Sequence, residues 1–582
     1  MNIFYEMASR LGFYKDVKNC LLKGFTPCAV TGVSNIHKAQ TAMALSRLSP
    51  CLVICDDEAS AIRMTGDINE MAGEQLACVF PAKDLNFAYM EGVSREYEHK
   101  RLEALSLISQ GKCKIIAASM EACLQGTIPQ DKLKEFSFEI KTGGELSLEE
   151  LTNKLLAGGY TRTDQVEGQA QFSVRGSIAD IFPVQESRPV RIELWGDEID
   201  SISYFDPESQ RRTDPIDEIT VFPALEIIFP DTDDLVTKLE ALSKSVRGSR
   251  TDKIRMNISR DIETAQSGIT LTNLDKYYTV CYDKLTTIFD YFQSGVCLVS
   301  EYTNCIEKGK AALAQLSEDM KLLYEDGILF RKLEGFYLDI PQAELKITQM
   351  KSVFLDSFMR SNNGVKFKKL INTDCRQTAA WGGNIINLEE ELKNLCSQGY
   401  CTVVLAGSEK TLPIINKDLN DAGISAEILT ENSEIMKGKV YLRTGCLSGG
   451  FDYPDIGCAA ITQMKAMSAK KRKSRHKAGE EIKSLSDIQS GDLVVHAMYG
   501  IGRFSGIRNI ETNGVTKDYI TIKYAGSDVL YVPVTQLDLV SRYIGPRDDG
   551  AVKLNKLNSM EWTKTRNKVK SAVKDMAEEL TK

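Results

Sequence analysis

The residues best suited to chemistry lie early in the chain, in the run TGVSNIHKAQT from Thr31 to Thr41. A phosphate-binding loop reads G-x-x-x-x-G-K-[ST] between a strand and a helix. Its glycines let backbone N–H groups wrap phosphate oxygens, its lysine neutralises the outer phosphates, and its hydroxyl holds magnesium. Here Gly32 and Lys38 stand in register, but His37 occupies the second glycine position and Ala39 the hydroxyl position. His37 puts a side chain where backbone must approach phosphate, and Ala39 offers a metal no oxygen. The run is therefore expected to be a degenerate nucleotide loop, with no catalytic residue and no ATP turnover. An ordinary turn carrying a chance lysine is the plainer alternative. Downstream, LVICDDE ends in Asp57 and Glu58 and could imitate a magnesium-binding strand end. Because it directly follows the first helix, it reads better as a solvated strand terminus.

Two further constellations suit binding. In RPVRIELWG, period-2 alternation sends Ile192 and Leu194 to one face and Arg191, Glu193 and Trp195 to the other. FSVRG likewise buries Phe172 and Val174 and turns Arg175 outward. Two arginines and a tryptophan on one solvent face have the composition of a protein-interface hot spot. The plainer reading is that Trp195 covers a core edge, since tryptophan is usually well buried. In DYITIKYAG, Ile520, Ile522 and Tyr524 share a face opposite Thr521 and Lys523. At a sheet edge such a strand accepts a partner strand; inside a sheet the same alternation fills a core.

These residues must be positioned by several domains. The chain has 582 residues, which at roughly 100–200 residues per domain predicts about four. Hydrophobic residues make up 43% and charged residues 26%, which excludes disordered, collagenous and coiled-coil chains. The net charge of -8 argues against a surface coated with DNA-binding charge and leaves room for local basic patches. Two are present: Ala466–Leu485 holds seven basic and two acidic residues, and Lys553–Lys582 holds eight and four. Fifteen cysteines scattered from Cys20 to Cys458, with no CxxC, follow a reduced-thiol pattern. With only four histidines, no metal site is expected. The N-terminus lacks a signal-peptide pattern, and no stretch reaches the roughly 18 apolar residues of a membrane span. A cytoplasmic protein with no membrane partner is expected.

Strand-like and helical runs alternate from Pro27 to about Ile128, which implies a parallel sheet. Short strands and turns follow around Leu151–Arg212, with a helix predicted over Ser147–Leu156. The expected fold class is multidomain α/β. A parallel-sheet, helicase-like domain with a degenerate P-loop spans 1–130 plus 213–345 in two sub-lobes, interrupted by a small α+β insert at 131–212. A second α/β domain covers 346–466, then come a basic linker at 467–488, an SH3/Tudor-like β-barrel of about five strands at 489–545, and a linker helix at 546–582.

Several of these segments together resemble a known family. The loop TGVSNIHKAQT is similar to the active phosphate loop of UvrB, the damage-recognition protein of nucleotide excision repair, in a degenerate form. VRGSIADIFP followed by RIELWGDEIDSI resembles the small second domain shared by UvrB and the bacterial transcription-repair coupling factors. GDLVVHAMYGIGRFSGI with DYITIKYAGSDVLYVPVTQLDLVSRYIG resembles the CarD-type RNA-polymerase-interacting module of those factors. The order of these blocks identifies the chain as similar to the N-terminal half of that family. The resemblance implies that Arg175, Arg191 and Trp195 engage UvrA, and that the strand carrying Ile520, Ile522 and Tyr524 docks on the β subunit of RNA polymerase. The basic stretches would then lie near upstream duplex DNA.

Two departures from the family pattern shape the expected function. The stretch between VFPAKDLNF and EHKRLEALSLI is too short for UvrB's aromatic hairpin, so lesion insertion by stacking is not expected. The chain also stops at Lys582 before any intact phosphate loop. The family's ATP-driven DNA translocase, with its ATP and magnesium, is therefore expected to lie outside it, leaving this chain without a cofactor. The expected function is recruitment in transcription-coupled repair, through stalled polymerase and UvrA. The alternatives are an independent UvrB-type P-loop ATPase or helicase, and a CarD-like transcription regulator with no repair role.

Overall fold

The computed structural model describes residues 2–557 except 88–94, 208, 249, 269, 359–363, 379, 382–384, 431–432, 464–490, 497–498, 513–514, 527, 534–539 and 544–553. The first unit is built on seven parallel strands. Their order is Lys369–Asn372, Cys28–Thr31, Lys351–Asp356, Val296–Ser300, Cys51–Cys55, Ile115–Ser119 and Ala77–Phe80. Runs such as CLVIC, IIAAS and VCLVS are apolar at every position because helices cover both faces of a parallel sheet, and all their residues are buried. The connecting helices begin on capping residues. Asp57 accepts the Ser60 N–H at 2.8 Å to start Glu58–Ala72, which stops at Gly73 in the left-handed region. Asp57 is thus the strand-end residue the sequence suggested, spent as a helix cap.

The Lys351–Asp356 strand inserts between Cys28–Thr31 and Val296–Ser300, with five of its six residues buried. This sheet therefore extends to Asn372, and the boundary expected at 345/346 moves beyond it. A Val- and Phe-rich strand looks the same in either sheet, and only the partners decide its membership.

The insert is also longer than expected at its far end. Six strands run in the order Arg212–Ile216, Glu198–Phe205, Val190–Trp195, Ile178–Ile181, Gln171–Arg175, Thr161–Arg162, antiparallel except for the last pair. Phe138–Lys141 pairs with Glu218–Val221 as a separate two-stranded ribbon at the base. The helix Leu148–Ala157 starts on Ser147, whose side chain accepts the Glu150 N–H, and buries Leu151 and Leu155.

A second sheet has the order Arg376–Thr378, Gly450–Tyr453, Cys458–Thr462, Cys401–Leu405, Val440–Arg443, Ala426–Ile428, parallel over its last four strands. One apolar core joins it to the first unit: Phe4, Ile36, Ala39 and Met43 pack with Leu405, Tyr441, Phe451 and Tyr453. Polar contacts fix the same junction. Ser448 N–H and Oγ–H donate to Asp67 at 2.7 and 2.5 Å, and Arg443 donates to the Glu70 carbonyl at 2.7 Å.

The last described unit is a five-stranded antiparallel sheet ordered Val529–Pro533, Val515–Lys523, Gly500–Thr512, Leu493–His496, Val540–Arg542. Asn555 fastens the following segment to it, donating its N–H to the Ile501 carbonyl and accepting the Ile501 N–H on Oδ1 at 2.7 Å. The basic run Lys470–Lys477 and the helix expected from Ser559 lie outside the described residues. Among the described residues no helix is long and apolar enough to cross a membrane.

Candidate functional site

The Thr31–Thr41 run does sit between a strand, Cys28–Thr31, and a helix, Asn35–Leu45. Its groups face inward. Gly32 and Val33 donate their N–H groups to the Asp356 carbonyl at 3.1 and 3.4 Å. Gly32 holds φ 89, and a Cβ there would collide with the Thr373 carbonyl oxygen, so the close approach of that strand end accounts for the glycine. Ser34 caps the helix, and His37 completes a capping box: its Nδ1 accepts the Ser34 N–H at 3.1 Å and lies 3.0 Å from Ser34 Oγ. A neutral ring then carries its proton on Nε2, which is buried and faces the Arg376 backbone. Burial, opposed by the Arg376 backbone and aided by the neighbouring Lys38 charge, lowers the His37 pKa to about 4.

The His37 ring stands 5.3 Å from Tyr453 and 6.3 Å from Phe451, both from the second sheet. Beside it, Tyr453 Oη–H donates to Gln40 Oε1 at 2.5 Å. Ala39, fully buried, is part of the same core. Lys38 is fully buried as well, and its Nζ donates to Glu301 Oε1 at 2.6 Å. Glu301 sits at the end of the Val296–Ser300 strand with φ 55, a left-handed conformation that costs a non-glycine residue about 1–2 kcal/mol. Ser357 also donates to it, from N–H at 2.9 Å and Oγ–H at 2.6 Å. Burial alone would raise the Glu301 pKa, but Lys38 and Ser357 hold it below the ordinary value. Glu301 carried no signal in the sequence, because nothing local marks a glutamate after CLVS as the partner of a lysine so far away.

In the insert the burial alternates along Val190–Trp195 as the sequence predicts, with Ile192 and Leu194 inside and Trp195 83% exposed. Val174 is only half-buried, whereas Ser173 beside it is buried. Arg175 is exposed, but Arg191 is mostly enclosed and is not a free hot-spot cation. The register sets Asp180 opposite Arg191 and Ser173 on neighbouring strands. Arg191 grips Asp180 with two parallel bonds, Nε to Oδ1 at 2.7 Å and Nη2 to Oδ2 at 2.8 Å. Arg175 Nη2 reaches the same Oδ2 at 2.9 Å. The Asp180 side chain is 1% exposed, and such bidentate pairing is the strong form of a charged hydrogen bond. Asp180 was missed in the sequence; its signal was a lone carboxylate in an otherwise apolar strand, IADI. The three expected residues thus share one face, two of them clamped to one carboxylate and Trp195 projecting from the hairpin end.

The third expectation needs correction. Ile520, Ile522 and Tyr524 are buried and pack with Val494, Phe504, Leu530 and Val532. Their strand is paired on both sides, with Gly500–Thr512 and with Val529–Pro533, so it has no edge to offer. The outer strands of this sheet are Val529–Pro533 and Val540–Arg542.

Comparison with known proteins agrees with this division. The UvrB interaction domain family matches residues 138–226, from the first strand of the two-stranded ribbon to just beyond its second. The CarD-like/TRCF RID domain family matches 488–544, the five-stranded sheet. The transcription-repair-coupling factor of Bacillus subtilis (strain 168) is 29% identical over 584 residues, 98% of this chain and 49% of its own length. The chain is similar to the transcription-repair-coupling factors. That of Staphylococcus haemolyticus (strain JCSC1435) is 29% identical over 574 residues, 95% of this chain and 48% of its own. That of Staphylococcus aureus (strain MRSA252) is 27% identical over 581 residues, 97% and 48%. The chain therefore spans about half the length of the curated transcription-repair-coupling factors it matches. Among solved structures, an XPD_Helicase aligns over 75% of this chain and 81% of its own at 8% identity and a TM-score of 0.19, too slight to carry an argument.

Proposed function

We propose that this chain is a recruitment unit of transcription-coupled nucleotide excision repair, acting in the cytoplasm by joining UvrA to stalled RNA polymerase. The observation that carries the reading is Trp195, 83% exposed at the end of a strand inside the UvrB interaction domain match. A large aromatic held in water by a rigid hairpin suits a partner that buries it. The Asp180 clamp orders the exposed Arg175 guanidinium on the same face, so it meets a partner's carboxylate already positioned, while Arg191 is taken up by Asp180 and Gln210.

For the polymerase β subunit, the site moves from Ile520, Ile522 and Tyr524 to the outer strand Val529–Pro533, which can accept a further strand on the side left unpaired among the described residues. The Thr31–Thr41 loop is read as having no ATP chemistry and needing no cofactor. Its lysine is paired to Glu301, and the loop's two amides are given to Asp356. By resemblance, ATP and magnesium are assigned to a translocase motor of the family and not to this loop. Duplex DNA near the basic stretches completes the set of partners.

The test is co-elution of the chain with purified UvrA and, separately, with RNA polymerase core enzyme on a sizing column. Both complexes are expected, with no ATP hydrolysis that depends on Lys38. Polymerase binding without UvrA binding would select a CarD-like regulator, and ATP turnover abolished by Lys38→Ala would select a P-loop enzyme.

A further inference from the structure

We propose that a basic hollow between the helices Thr232–Ser245 and Thr251–Gln266 grips the phosphate backbone of duplex DNA. The hollow has a volume of about 460 Å³, and Lys244, Arg247 and Arg255 are among the residues that line it. From Lys244 to Arg255 the sequence holds five basic residues and one acidic residue, Asp252, in a chain whose net charge is -8.

The arginines here are held in place without being neutralised. Arg247 donates through Nη1 to the Lys244 and Val246 carbonyls at 2.6 and 2.9 Å. Arg255 Nε donates to the Ser243 carbonyl at 3.3 Å, and Arg250 Nη1 to the Tyr324 carbonyl at 2.8 Å. None of the three pairs with a carboxylate among the described residues. Among the described residues Lys244 pairs only with Glu240, 3.3 Å away, with both side chains more than half exposed, a pairing worth little. Carbonyl bonds fix each guanidinium while its full charge and its remaining N–H groups face solvent. That arrangement fits phosphate oxygens.

The lining also selects the form of the ligand. Among the described lining residues Val246 is the only apolar side chain and none is aromatic. A nucleotide base or a single strand needs a stacking platform, and a peptide needs an apolar anchor. A duplex backbone needs neither. The hollow shares none of its described lining residues with the Trp195 face or with the five-stranded sheet. It rests on the recruitment reading only in choosing DNA as the polyanion.

The test uses the whole chain, with neither UvrA nor polymerase present, and a fluorescent 20-base-pair duplex titrated at several salt concentrations. The double variant Arg247→Gln/Arg255→Gln is expected to bind about tenfold more weakly and to lower the slope of log affinity against log salt by about 2. Lys244→Gln, at an exposed position, is expected to weaken binding in the same sense. Unchanged affinity and slope in both variants would overturn the proposal. So would loss confined to a single-stranded oligonucleotide. Either failure would leave the UvrA and polymerase reading standing, since neither partner is in the assay.

Discussion

Lys38 Nζ lies 2.6 Å from Glu301 Oε1, joining residues 263 apart in the sequence. The pair ties the loop's lysine to a carboxylate at the end of the Val296–Ser300 strand, and the second sheet covers the same helix through Phe451 and Tyr453. On the reading proposed above, this lysine neutralises a carboxylate of its own chain in place of a phosphate.

Lys38→Ala is therefore expected to act on stability. It leaves Glu301 with only the two Ser357 donors, at an apparent cost of about 2 kcal/mol. A urea titration followed by tryptophan fluorescence or circular dichroism checks the loss. Nucleotide titration monitored by calorimetry should give no heat with either form. ATP binding to the unaltered chain that disappears in the variant would contradict the assignment.

The loop should also register acid. The His37 pKa stands at about 4 in the folded chain against an ordinary 6.5. As pH falls through 6.5 the unfolded chain takes up the proton first, so stability is full above that pH and declines towards pH 4, by up to about 3 kcal/mol for this group. His37→Gln keeps the capping-box acceptor and removes the titration. Its stability should fall less steeply between pH 6.5 and 4 by about one proton, and an unchanged slope would show that His37 is not the group responsible.

In the insert, fold and binding should separate. Arg191→Ala strips the fully buried Asp180 of its bidentate partner and is expected to cost about 3 kcal/mol. Trp195→Ala, at an exposed position, should change stability by about 0.5 kcal/mol or less. Weak UvrA binding by the arginine variant alone would then report a disturbed sheet, and thermal unfolding of both variants tells the two effects apart.

The five-stranded sheet allows a similar separation. Ile520→Asp places a carboxylate in a closed apolar core at a cost of about 4 kcal/mol or more, and should melt this sheet. Tyr531→Lys, half-buried on the outer strand, should leave the sheet's circular dichroism intact and weaken polymerase binding. Polymerase binding unaffected by Tyr531→Lys would move the docking edge to Val540–Arg542.

Much of this architecture was readable from local pattern. Strand-like runs alternating with helical ones from Pro27 to about Ile128 announced a parallel sheet, and the alternation of VRIELW placed Trp195 outside and Ile192 inside. Pattern failed where a strand's neighbours decide its role. DYITIKY alternates equally well at an edge or in the middle, and only its pairing with Val529–Pro533 shows that Ile520 faces a core. Arg191 looked free because its partner, Asp180, lies on another strand and is found only through the register. Glu301 was hidden for the same reason, since its meeting with Lys38 depends on the order of strands in the sheet.

The central claim is that this chain presents a UvrA-binding face centred on Trp195. It is tested most directly by the affinity of purified UvrA for the unaltered chain and for Trp195→Ala, measured by biolayer interferometry under one set of conditions. The account predicts a loss of at least about tenfold, with polymerase binding and thermal stability unchanged. Equal UvrA affinity for the two forms would contradict it.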